Sequence, residues 1–248
     1  YTIFLLIIFL KLFMNEINRL RKKIDKIDLQ ILNLLNKRSK ISENIGKEKR
    51  SKNLFRPERQ ANILKNLLKS DNEINPSFIL AFWSSIFLSQ IDIQGGIKLI
   101  MSKAIFKSKI STVYDYFSHN VDIITINNFK KALEKLSKEK NSLLILPYPS
   151  NNEQSKWWVS KEVEKFYAIA ALPFFLKKKK FPSLVIISKY KPIIEKDCFI
   201  LYKSKYLLKE KNLKLEIKSN GNYLYKSDYE IENKNLKLFG ALPKSYEI

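Results

Sequence analysis

The chain has 248 residues, 45% of them hydrophobic, enough for one large domain or two small ones, so neither a disordered chain nor a minimal module is expected. Lys and Arg number 46 against 24 Asp and Glu, a formal net charge of +22, with one cysteine, Cys198, and one histidine, His119. That inventory excludes a disulfide scaffold and a thiolate zinc site, and it leaves Ser-His-Asp triads and histidine-based metal centres a single residue to draw on.

The positive charge has a compositional explanation. The basic residues are mostly lysine and come with many Asn and Ile, a bias that an AT-rich genome produces without selection for binding. Basic residues outnumber acidic ones 16 to 9 over residues 14–96 and 29 to 15 over 97–248, so the balance is spread rather than held in a tail. The dense run Lys177 to Lys180 reads as a solvated loop. With no zinc finger, aromatic RNA-binding motif or basic heptad region in the sequence, no nucleic-acid partner is expected.

Residues 2–13, TIFLLIIFLKLF, are almost wholly apolar but shorter than the roughly 20 residues that span a bilayer. They read as the h-region of a signal or as a stretch not native to the mature protein, with translation starting at Met14. Residues 1–13 are therefore set outside the fold, an uncleaved anchor being the alternative; no membrane partner is expected.

From Met14 the pattern is helical. Ile17, Leu20, Ile24, Ile27, Ile31, Leu34, Arg38, Ile41 and Ile45 follow at alternating spacings of three and four, a heptad seam. A helix from about 16 to 50 would be roughly 50 Å long, too long to bury alone, which predicts pairing with a second copy. Arg38 stands in this seam where an aliphatic residue belongs. A guanidinium there is costly unless an anion pairs with it; a structural ion pair and a ligand both satisfy that requirement. Lys49, eleven residues on, returns to within about 20° of the same face, whereas Arg21 comes out about 100° away and could join only from a partner chain.

Pro57, within Arg56-Pro57-Glu58-Arg59, is placed to open a second helix that runs to about Ser70 on Ile63, Leu64, Leu67 and Leu68. Asn75 and Pro76 punctuate the chain. Phe78, Ile79, Phe82, Trp83, Ile86 and Phe87 then form a third helical stripe, which runs toward Gln94 and ends at Gly95 and Gly96.

These residues carry a resemblance. INRLRKKIDKIDLQILNLLNKRSKISENIGKEK, then FRPERQANIL, then Trp83 to Gln94 resemble the all-helical class of chorismate mutase, with LRxxIDxID, LLxxR, IGxxK and RPxR in order over residues 17–95. The resemblance implies an intertwined homodimer of three-helix chains that converts chorismate to prephenate by an intramolecular Claisen rearrangement, in the cytoplasm, on the way to phenylalanine and tyrosine. That reaction needs a folded conformer and stabilisation of charge on the breaking ether oxygen, with no nucleophile, so no cofactor and no metal are expected. By resemblance, Arg38 and the partner's Arg21 bind the carboxylates, for which bidentate guanidinium geometry is suited. Lys49 contacts a carboxylate and the ether oxygen, and Gln94 donates to the same oxygen.

The second helix departs from the family. A glutamate usually follows the arginine corresponding to Arg59, but here that position is Gln60, and the upstream site that can be aspartate is Arg56. The contact to the substrate hydroxyl falls to Gln60, with Arg59 orienting the region. The helix-three position that is serine in some relatives falls at Gln90 or Ser89.

Residues 97–248 read as α/β. VDIITI at 121–126, SLLILPYP at 142–149, FYAIAALPFF at 166–175 and SLVIIS at 183–188 are β-rich, with a helix at 129–140 between the first two. Ser219 to Asn222 suggest a hairpin, and LKLFGALP closes the chain. This part resembles the C-terminal extension of alphaproteobacterial chorismate mutases and, more distantly, the prephenate dehydratase fold. The Thr-Arg-Phe motif of the dehydratases is missing, so dehydratase activity is not expected. Trp157 and Trp158 read as packing residues, a small-ligand cleft being the alternative.

The expected architecture is therefore α plus α/β: an apolar segment over 1–13, a three-helix chorismate mutase domain over 14–96 and an α/β domain over 97–248. The alternative function is a catalytically lapsed helical dimer acting as a regulatory or basic binding protein.

Overall fold

Helix α1 runs unbroken over Thr2–Glu48, because neither proline nor glycine interrupts it before Gly46. The computed structural model describes residues 2–48, 53–70, 73–176 and 181–247. The helix expected from about residue 16 thus extends back through the apolar segment, which is helical and continuous with it. Leu20, Ile24, Ile27, Ile31, Leu34, Ile41 and Ile45 of the seam are 43% to 64% exposed, so the face that the heptad pattern marks as apolar is open along the helix. The run Lys177 to Lys180 lies outside the described residues.

By packing, Tyr1–Arg50 form one unit and Ser51–Ile248 another. The second unit begins with α2 (Pro57–Lys69) and α3 (Pro76–Ile93). Proline at the first turn opens each, and the Asn75 side chain accepts from the Ser77 amide to cap α3. Gly95 and Gly96, both at positive φ, end α3, with the Gly96 amide returning to the Ile91 carbonyl. Among the described residues α3 is the helix long and apolar enough to cross a membrane; 39% of it is buried in the fold, and core helices pass the same test.

The sheet follows as β1 (Lys98–Met101), α4 (Lys103–Phe117), β2 (Asp122–Thr125), α5 (Phe129–Lys138) and β3 (Ser142–Pro147). Two short 3-10 segments, Glu153–Val159 and Lys161–Lys165, lead into β4 (Tyr167–Leu172), β5 (Phe175–Leu176) and β6 (Leu184–Ser188). Then come β7 (Cys198–Ser204), β8 (Lys214–Ser219), β9 (Asn222–Ser227), β10 (Lys237–Pro243) and β11 (Tyr246–Glu247). Nine strands form one mixed sheet in the order β2-β1-β3-β6-β4-β10-β7-β9-β8, and β5 pairs with β11. Strands β1, β2 and β3 are parallel neighbours, as their helical crossovers require, and β8 and β9 form the expected hairpin with Asn220 and Gly221 at positive φ in its turn.

Both faces of this sheet are covered, which is why its central strands are apolar without alternation. Leu99, Met101, Leu143, Ile145, Leu184 and Ile186 face one core, with Ala61 and Leu64 of α2, Phe87 and Ile91 of α3, and Val113 and Phe117 of α4. Ile100, Leu144, Val185 and Ile187 face the other, with Leu133 and Leu136 of α5 and both Trp157 and Trp158. Helices α2 and α3 thus share a core with the sheet, although their motifs are continuous with those of α1. The fold class is helices followed by a mixed sheet flanked by helices. The all-helical description therefore fits α1 to α3 and not the whole chain.

Candidate active site

Helix α1 carries the cations expected to hold carboxylates. Arg38 is half-buried on the seam and Arg21 is exposed; Lys49 lies outside the described residues. Seventeen residues of helix separate Arg21 from Arg38, about 26 Å along the axis. No small dicarboxylate bridges that length. A site using both must take them from two chains.

On α2, Arg56 precedes the first turn and pairs with the buried carboxylate of Glu58, whose place in that turn also suits the helix dipole. Arg59 is exposed on the opposite side. Gln60 points inward, 9% exposed, and its carbonyl oxygen accepts a hydrogen bond of 3.1 Å from the Tyr116 hydroxyl of α4. Burial, together with the Glu58 carboxylate, raises the Tyr116 pKa well above its ordinary value, so the phenol remains a neutral donor.

On α3, Gln90 is buried and Ser89 is exposed. Gln94 caps the helix, its backbone amide returning to Ile91, and it is half-buried. It lines a cavity of about 370 Å³ with Gly96, Lys98, Asp122, Lys140 and Asn141, among others; Gln60 and Gln90 are not among the lining residues. Near this end of α3 the Asp92 carboxyl is held above its ordinary pKa by burial and by Asp122.

Sequence reasoning passed over the polar residues that dock α2 on the sheet unit. Lys65 is buried, pairs with Asp197 at 2.5 Å and stands over the Phe174 ring, while Asn62 donates to Glu195. The signal was available: Ala61, Leu64, Lys65 and Leu68 share one helical face, so a lysine stands in an apolar stripe as Arg38 does in α1. Trp157 and Trp158 are packing residues of the sheet core. The Trp157 indole donates to the Pro147 carbonyl at 2.8 Å and its ring lies 5.9 Å from that of Phe239.

Comparison with known proteins places the helical stretch. Residues 20–95 match the family model for chorismate mutase type II. A bifunctional chorismate mutase/prephenate dehydratase of Aquifex aeolicus (strain VF5) is 43% identical over 63 residues, which are 25% of this chain and 17% of that protein, so the match spans under a fifth of the relative's length. Among solved structures, GqqA, described as a novel type of quorum quenching acylase, is 9% identical with a TM-score of 0.41, over 60% of this chain and 95% of that one. Prephenate dehydratase from Streptococcus mutans is 13% identical with a TM-score of 0.37, over 60% of this chain and 99% of that one. Likenesses at that level carry no argument about activity. The stretch that matches the chorismate mutase type II model, residues 20–95, includes Arg21, Arg38, Lys49, Gln60 and Gln94.

Proposed function

We propose that the chain is a chorismate mutase, an isomerase that converts chorismate to prephenate in phenylalanine and tyrosine biosynthesis. It works in the cytoplasm as a homodimer. The observation that carries this reading is the family match over 20–95, which takes in every candidate site residue. The exposed seam of α1 supports a second copy as its partner, and the separation of Arg21 from Arg38 along one helix supports a site shared between two chains.

In this reading Arg38 and the partner's Arg21 hold the two carboxylates and fold the substrate toward its reactive conformer. Lys49 and Gln94 donate to the ether oxygen, where negative charge grows as the bond breaks, and so bind the transition state more tightly than the ground state. Gln60 meets the substrate hydroxyl, with Arg56, Arg59 and Gln90 around it. The reaction uses no metal or cofactor. Residues 14–96 act as the mutase domain and 97–248 as a second domain without dehydratase chemistry.

One observation favours the second reading, a lapsed helical dimer with a regulatory or binding role: the Gln60 carbonyl is already engaged by Tyr116. The two readings part in one assay. Purified full-length chain is mixed with chorismate in metal-free buffer, and the loss of chorismate absorbance is followed beside an Arg38→Ala control. Turnover that vanishes in the control supports the mutase; a folded dimer without turnover supports the lapsed reading.

A further inference from the structure

A second cavity, of about 370 Å³, opens in the sheet unit where β4 and β10 begin and β7 ends. Strands β3 and β4 run the same way, both antiparallel to β6, so this cavity lies at the end of the sheet where β3 starts. The LPYPSN turn follows the other end of β3.

Four lysines line the cavity, Lys203, Lys205, Lys234 and Lys237, against one carboxylate, Glu164. Glu164 is taken by Lys237 at 3.0 Å. Lys205 donates to the Asn222 side chain at 2.6 Å, which fixes its ammonium at the rim. Lys203 comes from within β7 and is half-buried, whereas the other three are exposed. Its ammonium donates to the Trp158 carbonyl at 2.5 Å and stands 5.5 Å from the centre of the Phe239 ring; among the described residues no carboxylate lies within 4 Å of it. Burial, with Lys205 and Lys237 adding to the effect against the opposing Glu164, lowers the Lys203 pKa to about 8. A half-buried cation among other cations is a cost to the empty fold that an anion in the cavity would offset.

The walls narrow the choice of anion. Phe166, Leu238 and Phe239 supply an apolar side to the cavity, and its volume falls in the range of small-molecule sites, well above what a bare phosphate fills. We propose that this cavity binds a small organic dianion with a flat apolar body, its charged groups on Lys203, Lys205 and Lys237 and its body against Phe166 and Leu238. The site is independent of the mutase reading, since none of its residues lies in the matched stretch.

Isothermal titration calorimetry on the full-length chain at fixed ionic strength tests this, with phthalate, benzoate, inorganic phosphate and benzamide as probes and no chorismate present. Phthalate is expected to bind one per chain, about tenfold more tightly than either benzoate or phosphate, and benzamide not at all. Lys205→Ala and Lys237→Ala each weaken phthalate about fivefold with the circular dichroism spectrum unchanged, whereas Lys107→Ala, on the exposed side of α4, has no effect. The proposal is overturned if phthalate shows no saturable binding, if phosphate or benzamide binds as well as phthalate, or if Lys107→Ala costs as much as the cavity variants.

Discussion

Gly240 is the position where the sheet tolerates least. It stands on β10 opposite Ala168 of β4, in the parallel contact between two interior strands, and both residues are buried. A Cβ added at 240 would fall 2.1 Å from the Ala168 carbonyl oxygen, 2.7 Å from its Cβ and 2.8 Å from its carbonyl carbon. An ordinary C···O contact is about 3.3 Å or more, so Gly240→Ala requires the strands to part by about 1 Å. Neither can slide outward, because β4 is held by β6 on its other side and β10 by β7. Overpacking of this kind costs about 1–3 kcal/mol, and weakening one or two ladder hydrogen bonds in a buried sheet adds about 1–3 kcal/mol. The reduced entropy of the unfolded chain returns under about 1 kcal/mol. The net expectation is a loss of about 1–6 kcal/mol, a large part of the stability of a typical domain. Urea unfolding followed by tryptophan fluorescence measures it as a lower midpoint. Adding Ala168→Gly should not rescue the variant, since the nearest clash is with backbone. A loss below about 1 kcal/mol, or full rescue by Ala168→Gly, would refute the steric argument.

Arg38→Leu replaces a cation in the seam by the side chain the heptad calls for. On the mutase reading, turnover of chorismate should fall by about 10² or more while the thermal midpoint of the protein holds or rises; unfolding of the variant would instead make Arg38 a structural partner. Tyr116→Phe deprives the buried Gln60 carbonyl of its donor and should lower unfolding stability by about 1–2 kcal/mol, read by denaturant titration; no change would mean that water replaces the phenol. Lys203 gives a pH signature. Its pKa lies near 8 in the fold against an ordinary 10.5, so between those values the unfolded chain binds the extra proton and stability rises with pH. The full shift corresponds to about 3 kcal/mol, and solvent screening reduces it to about 2 kcal/mol. Lys203→Met should flatten that rise in urea midpoints between pH 8 and 10.5, and an unchanged slope would assign it to other groups.

Local signals in the sequence place most of the elements. Pro57, the Asn75-Pro76 pair and Gly95-Gly96 bound α2 and α3, because each residue fixes or frees a backbone angle where a helix must start or stop. Asn220-Gly221 mark the hairpin for the same reason. Helix α4 is different. Its buried residues Ile105, Val113, Tyr116 and Phe117 are spread among Ser, Thr and Lys, so its period is weak, and the packing of the sheet core and the Ser102 cap compensate for it. The four residues of β1 are too few to show a pattern. Strand β7 mixes Lys203 with its apolar residues and pairs only with later strands. Strand order is a property of long-range contacts, which local sequence does not encode. The same holds for the candidate site: spacing marks Arg38 and the family resemblance marks Gln94, but the burial of Gln60 under Tyr116 depends on a residue 56 positions further on.

That burial explains why a glutamine stands at position 60. A carboxylate at 9% exposure would have one oxygen on the Tyr116 hydroxyl and its second oxygen in a core built from Phe55, Phe117 and Phe174, with the Glu58 carboxylate nearby. Desolvation and like charge both oppose ionisation there, whereas an amide offers the same acceptor without a charge. Gln60→Glu should therefore destabilise the fold at neutral pH by about 1–3 kcal/mol and lose that penalty as the pH falls and the new carboxyl protonates. If Gln60 also meets the substrate hydroxyl, as the proposed function has it, the same variant should raise kcat/KM. The two quantities then move in opposite directions, which a purely structural role for Gln60 would not produce. Denaturant midpoints and chorismate kinetics on one preparation of Gln60→Glu decide it. Lower stability with unchanged or lower kcat/KM would remove Gln60 from the substrate site and leave it as the polar link between α2 and α4.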